Sequence, residues 1–178
     1  MDRSNEHVIE KKIIKISNFK VFPRRYLEIE KDIGSFDVRD DDIWISSFPK
    51  CGTTWTQEMV WNIVNNLDFE AARATTLDER IPFLELEGLF DEKVLSGMSD
   101  EEKNDKPQVF NSVEFVKNMP ESKQRIIKTH LAYDMLPRQV TDKKSKIIYV
   151  TRNPRDAVVS YFNHWRVLEG FTGLKIEE

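Results

Sequence analysis

Apolar positions along the chain change their period at a few sharp points. Ile43-Trp44-Ile45 is a short apolar run of strand type. From Trp55 onward, apolar residues recur at helical spacing through Met59, Ile63 and Leu67, reinforced by Val60 and Val64. The pattern predicts a strand, a tight turn over Ser46-Ser47-Phe48-Pro49-Lys50-Cys51-Gly52-Thr53-Thr54, and a helix. A second strand is predicted over Arg125-Ile126-Ile127-Lys128-Thr129-His130, and a third, of buried type, over residues 146–151. The third runs into Arg152-Asn153-Pro154-Arg155-Asp156. There Asn153 suits an N-cap, Pro154 the first helical position, and Asp156 the positive end of a helix dipole. Ala157, Val158, Tyr161, Phe162, Trp165 and Leu168 follow in helical register.

Elsewhere the pattern is weaker. In residues 8–30 neither period wins, which predicts an extended lead-in packed on the main domain, with Phe19, Phe22 and Tyr26 as apolar anchors. Residues 37–42 form an acidic turn, and residues 68–79 a polar connection. Residues 88–107, with a charged cluster at 100–106, predict a surface loop long enough for a lid. Phe110, Val113 and Lys117 suggest a short helix ended near Pro120.

Composition narrows the chemistry. At 178 residues, 39% hydrophobic and 33% charged, the chain suffices for one domain with a core and does not read as membrane-spanning. A net charge of −4, from 27 basic and 31 acidic residues, gives no general pull toward nucleic acid, so any anion site must be local. One cysteine, Cys51, and an N-terminus without an apolar segment predict a reducing, cytoplasmic setting with no signal peptide or membrane anchor. No Cys/His cluster has zinc spacing and no magnesium-type acidic motif follows the turn, so no metal is predicted.

The turn is where an anion belongs. The first N–H groups of a helix lack partners and sit at the positive end of its dipole. Gly52 allows close backbone approach, Thr53 and Thr54 add hydroxyls, and Lys50 adds a mobile charge. An ordinary turn capped by threonine would also contain Gly-Thr-Thr; the flanking Pro-Lys and Trp favour the cradle. Lys50 precedes the glycine, unlike the Walker pattern, which disfavours NTP hydrolysis and a P-loop kinase. A cysteine phosphatase would need arginine six residues after Cys51, where Gln57 stands. Lys128 and His130, two apart on a strand, leave on one face at the carboxyl end of the sheet, and an imidazole titrates near neutrality. His164 reads as a helix-surface residue.

The string from Phe48 to Trp55 resembles the 5′-phosphosulfate loop of the cytosolic sulfotransferases. The resemblance implies an α/β fold: a P-loop-like three-layer domain with a central parallel sheet flanked by helices. It also implies 3′-phosphoadenosine 5′-phosphosulfate (PAPS) as co-substrate, without a metal. Lys50, Gly52, Thr53 and Thr54 would take the phosphosulfate and Trp55 the adenine, with Cys51 in the loop where many members carry serine. Arg80-Ile81-Pro82-Phe83-Leu84-Glu85 resembles the family's R-x-P-F-L-E segment, which makes Phe83 a wall for an apolar acceptor. Lys128-Thr129-His130-Leu131 resembles the K-T-H-L segment, in which the histidine is the catalytic base; Lys50 and Lys128 would offset charge on the moving group. The block from Tyr149 to Tyr161 resembles the 3′-phosphate segment, matching Arg152 and Ser160.

The family's later arginine-lysine-glycine segment and dimer-forming segment find no match. The resemblance therefore implies a single incomplete domain over 1–178, with a lead-in at 1–42, a PAPS-binding and catalytic part at 43–178, and its C-terminal part missing. The implied activity is sulfuryl transfer to a hydroxyl of a small lipophilic phenol, steroid or other alcohol. The alternative is a non-catalytic fragment binding PAPS or 3′-phosphoadenosine 5′-phosphate (PAP). Neither nucleic acid nor membrane is an expected partner, and full-length relatives are often homodimers.

Overall fold

The computed structural model describes residues 13–17, 20–90, 95–143 and 145–172. Strands β1 (Ile13–Ser17) and β2 (Lys20–Pro23) form an antiparallel hairpin. Helix α1 (Tyr26–Gly34) follows, burying Tyr26, Ile29 and Ile33. The lead-in is thus a hairpin and a helix, not an extended strap. Tyr26, Ile29 and Ile33 do recur three and four apart with Glu28, Glu30, Lys31 and Asp32 between them, but the stretch 8–30 stops short of Ile33 and mixes this period with that of two strands. Tyr26 and Phe22 are anchors, their rings 4.6 Å apart, while Phe19 lies outside the described residues.

Strand β3 (Ile43–Ser47) is the centre of a parallel sheet, between β4 (Ile126–Thr129) and β5 (Lys146–Val150). The three are α/β in arrangement, with helices on both faces. Trp44 points into a core with Ile29, Ile33, Phe36, Val38, Val113, Val116 and Ile127. Ile43 and Ile45 point the other way, against Val60, Ile81 and Ile126. This two-sided burial is what a parallel central strand demands.

Helix α2 (Thr53–Val64) crosses back over the sheet from the end of β3. It turns Thr53, Gln57 and Val60 inward and leaves the predicted stripe outside: Trp55 is 79% and Ile63 72% exposed, and Met59 is exposed with them. Leu67 lies beyond the helix in a turn at φ 61°. The helical period is as predicted, but the buried face is set by the sheet beneath it. The polar connection after it holds two short helices, α3 (Phe69–Ala74) and α4 (Leu77–Arg80), begun by Asp68 and by a capping box from Thr76 to Glu79. The expected surface loop contains α5 (Asp100–Asp105), opened by a Ser99–Glu102 capping box; residues 91–94 lie outside the described residues. Helix α6 (Ser112–Lys117) forms close to expectation, and α7 (Arg138–Asp142) lies before β5.

β5 departs from the buried reading. Among the described residues it pairs with β3 alone, so Ile147 is partly exposed and Tyr149 is 68% exposed, while Ile148 and Val150 pack inward. Alternation of this kind marks a strand covered on one face. Helix α8 (Pro154–Thr172) starts as predicted: Asn153 Oδ1 accepts from the Arg155 N–H at 3.0 Å and its carbonyl from the Ala157 N–H at 3.0 Å.

Two features fix the register that positions the strand tips. Before β3 and β4, the buried Arg125 guanidinium grips the buried Asp42 carboxylate through Nε at 2.7 Å and Nη2 at 2.6 Å. Along the outer side of β4, Pro82–Leu84 adds a short parallel run: the Lys128 N–H donates to the Pro82 carbonyl at 2.9 Å and the Leu84 N–H to the Lys128 carbonyl at 3.0 Å. With Ile43 opposite Ile126 and Lys146, the carboxyl ends of all three strands finish level.

Candidate active site

At those level ends lies a cavity of about 530 Å³. It is lined by the loop from Pro49 to Trp55, by Lys128 of β4 and His130 just past it, by Arg152 in the turn before α8, and by Ser160 and His164 of α8. A cleft outside the carboxyl ends of parallel strands is where such folds bind ligands.

The loop owes its shape to two unusual backbones. Lys50 sits at φ 66° and Gly52 at φ 105°, the latter a conformation that side chains resist. Gly52 is the N-cap of α2, with no side chain to satisfy the first-turn N–H groups, which leaves them for an anion. The Thr53 hydroxyl is engaged and nearly buried, 2.6 Å from Ser47 Oγ, whereas Thr54 is exposed. Cys51 is half-buried in the same turn.

His130 stands just past β4. Its Nδ1 lies 2.8 Å from the Ser47 carbonyl and 3.3 Å from Ser47 Oγ. A carbonyl only accepts, so Nδ1 carries the hydrogen and Nε2 keeps its lone pair. Burial, then the charge of Lys128, push the imidazole pKa down to about 4, against the upward pull of the Ser47 hydrogen bond. Phe83 meets the imidazole edge to face, with ring centroids 5.0 Å apart. Lys128 Nζ lies 4.2 Å from the centroid of the same ring, and burial lowers the ammonium pKa. Phe83 therefore touches both polar residues of the strand tip.

The other mouth is tied to the first. Arg152 is exposed and donates through Nη1 to the Lys50 carbonyl at 3.3 Å. Phe48 in the loop meets Tyr161 of α8 at 5.3 Å. His164, expected on the helix surface, lines the cavity instead; burial, followed by Lys50 and Lys128, lowers its pKa. It lies one helical turn after Ser160 on the same face, a relation the sequence holds but does not connect to the cavity.

All the predicted site residues except Phe83 line the one cavity, and Phe83 packs directly behind it. Sequence reasoning missed Ser47, Glu85 and His164. Glu85 is fully buried, and its carboxylate accepts from the His130 N–H at 2.6 Å and the Thr129 hydroxyl at 2.9 Å. No cluster of three or more His, Cys, Asp or Glu is placed to hold a metal ion among the described residues, and no described helix is long and apolar enough to cross a membrane.

A parallel sheet whose strand tips carry a glycine-capped helix mouth, a guanidinium and an imidazole marks an α/β family with a cationic cleft at the carboxyl edge of the sheet. Comparison with known proteins is specific about which: the Sulfotransferase domain matches residues 40–175, and the chain belongs to the sulfotransferase family. The luciferin sulfotransferase of Photinus pyralis is 42% identical over 149 residues, covering 82% of this chain and 39% of that protein. A sulfotransferase 1 family member of Mus musculus is 38% identical over 76% of this chain and 39% of its own length. The chain thus spans about 40% of the length of these curated relatives. Among solved structures, retinol dehydratase in complex with retinol and PAP superposes with a TM-score of 0.70 at 26% identity, over 93% of this chain and 54% of that one. A mouse sulfotransferase complexed with PAP gives 0.57 at 31% identity, over 88% and 44%.

Proposed function

We propose that this chain carries the donor-binding and proton-accepting parts of a sulfotransferase that moves a sulfuryl group from PAPS to a hydroxyl of a small lipophilic phenol, steroid or other alcohol. The observation that carries the reading is the convergence of Lys50, Lys128, His130, Arg152 and Ser160 on one cavity, with the His130 tautomer set by the Ser47 carbonyl. Binding of PAP by two structural neighbours, and of retinol by one of them, supports both the donor and the acceptor class.

In this reading the first-turn N–H groups of α2, Thr54 and Lys50 hold the 5′-phosphosulfate, and Cys51, Gly52 and Thr53 shape the loop that presents them. Trp55 stacks on the adenine, while Arg152 and Ser160 take the 3′-phosphate, the guanidinium as a planar fork. The acceptor lies against Phe83, its oxygen at His130 Nε2.

Transfer needs the acceptor oxygen, sulfur and leaving phosphate oxygen in line, with catalysis coming from placement and charge stabilisation. As the O–S bond to the acceptor forms and the bond to the phosphate breaks, Nε2 takes the acceptor's proton, and Lys50 and Lys128 stabilise charge on the leaving oxygen and the moving group. An imidazole held neutral by burial and by Lys128 is ready to accept. The bound anionic donor offsets that lysine's charge and raises the basicity of His130 at the moment it is needed. The chemistry uses no metal and suits a cytoplasmic protein.

Calorimetry with PAP followed by transfer of radiolabelled sulfate from PAPS to a panel of hydroxylated acceptors tests the reading. Saturable PAP binding and labelled product are expected, with His130→Ala abolishing product and leaving PAP affinity intact. PAP binding without transfer to any acceptor would make the chain a non-catalytic nucleotide binder. Binding of ATP but not PAP would defeat both.

A further inference from the structure

Glu85 does not line the cavity at the strand tips, yet both of its oxygens are committed to the tip of β4. Oε1 accepts from the His130 N–H at 2.6 Å and Oε2 from the Thr129 hydroxyl at 2.9 Å. The Thr129 oxygen itself accepts from the Leu131 N–H at 3.1 Å, which ties the next residue to the same group. Three consecutive residues therefore hang on one carboxylate, 45 positions away in the chain. The carboxylate is fully buried, where a polar atom without partners is costly and one with good partners is rigid.

The donors at both ends fit the ionised group. The His130 N–H can only donate, so Oε1 accepts in either state, whereas Oε2 accepts from the Thr129 hydroxyl when ionised and donates to it when protonated. Burial works against ionisation and pushes the pKa up to about 7; the His130 and Thr129 hydrogen bonds and the charge of Lys128 work for it. The phenol of Tyr26, on α1, is pushed up by burial, then by Glu30 and Glu85. Burial lowers the Lys128 pKa, and Asp78 and then Glu85 pull it part of the way back. One residue thus fixes the main chain of the imidazole and supports the ammonium beside it.

We propose that Glu85 is a positioning residue of the site: its buried carboxylate clamps Thr129 and His130 so that the imidazole stays in register with the Ser47 carbonyl. The consequence for turnover rests on the reading of His130 as proton acceptor, but the clamp can be tested without turnover.

The experiment is nuclear magnetic resonance on the chain and on Glu85→Gln and Thr129→Val, with calorimetry of PAP alongside. Glutamine sets an amide N–H₂ against one of the two donors. The His130 amide is then expected to exchange with solvent about tenfold faster, the equivalent of one lost charge-assisted hydrogen bond, and the imidazole midpoint to fall, because the Ser47 hydrogen bond that raises it is loosened. Thr129→Val removes one arm and keeps the amide arm, with an expected acceleration of about threefold. PAP affinity should stay within about twofold in both, because Glu85 and Thr129 do not line the cavity.

Unchanged exchange and an unchanged midpoint in the folded Glu85→Gln protein overturn the proposal. So does a parallel loss of PAP affinity, which would signal general loosening. If Glu85→Gln does not fold, Thr129→Val decides by the same two readouts. Absence of sulfate transfer in the unmodified chain would bear on the proposed function and leave the clamp standing.

Discussion

The strand tips carry the site, but the opposite ends of β3 and β4 are held by one buried ion pair, so Asp42→Asn tests how alignment is maintained. Asp42 is fully buried and Arg125 nearly so. Asp42 Oδ1 takes the Arg125 Nε–H at 2.7 Å, and Oδ2 takes Nη2 at 2.6 Å and the Arg39 N–H at 2.8 Å. Asparagine keeps one oxygen and sets an N–H₂ group against a donor. The guanidinium, left without its counter-charge, still donates to the Asp37 carbonyl at 3.0 Å and lies 5.0 Å from the Phe36 ring centroid. Removing one partner of a buried pair costs about 3–5 kcal/mol, and these remaining contacts place the expected loss near the lower end. For a chain of this size that is a fall in melting temperature of about 6–12 °C. Urea and thermal unfolding followed by circular dichroism read it. The double variant Asp42→Asn/Arg125→Met should cost less than the sum of the two singles, by about 2 kcal/mol, because each single strands the other group. A loss below about 1 kcal/mol in Asp42→Asn, or additive singles, would refute this account of the register.

Three further outcomes are expected. Gly52→Ala meets no clash, its Cβ lying 4.0 Å from Val150 Cγ1, so the cost is backbone strain at φ 105°: about 1–2 kcal/mol of stability and about tenfold in PAP affinity, with unchanged calorimetry counting against the loop as anion cradle. Gly88→Ala places a Cβ 2.7 Å from Ile29 Cδ1 and 3.2 Å from the Tyr26 Cα, forcing α1 away at about 1–3 kcal/mol, which denaturant midpoints measure. Acid stability should carry the signature of His130. Its pKa is depressed to about 4, so between about 6.5 and 4 the unfolded chain binds the proton first and stability falls as pH falls. Glu85, raised to about 7, opposes this: its contribution is present below about 4.5 and is lost as pH rises through 7. The difference between the parent and His130→Asn isolates the histidine; it should grow by about 3 kcal/mol from pH 4 to 6.5, and a flat difference would mean that the imidazole is not buried neutral.

What could be read from the sequence was local. β3, the loop and α2, and likewise β5, the Asn153 cap and α8, are each a change of period joined by a few residues with one chemical purpose, so the two mouths and the Lys128–His130 tip are visible without coordinates. What failed depended on neighbours far along the chain. The face of α2 follows from its seat on Ile45 and Ile81, not from where its largest apolar residues fall. The exposure of β5 follows from its single partner among the described residues. Glu85 is one carboxylate among 31 acidic residues until β4 is laid beside Pro82–Leu84. His164 becomes a cavity residue only once α8 is set over the loop.

The hydrogen bond from Arg152 to the Lys50 carbonyl spans the gap between the two mouths of the cavity. Because Lys50 already holds a left-handed backbone, that bond steadies the least relaxed point of the loop. The two mouths are thus joined through main chain as well as across the cavity, so a change of conformation at Lys50 is felt at Arg152.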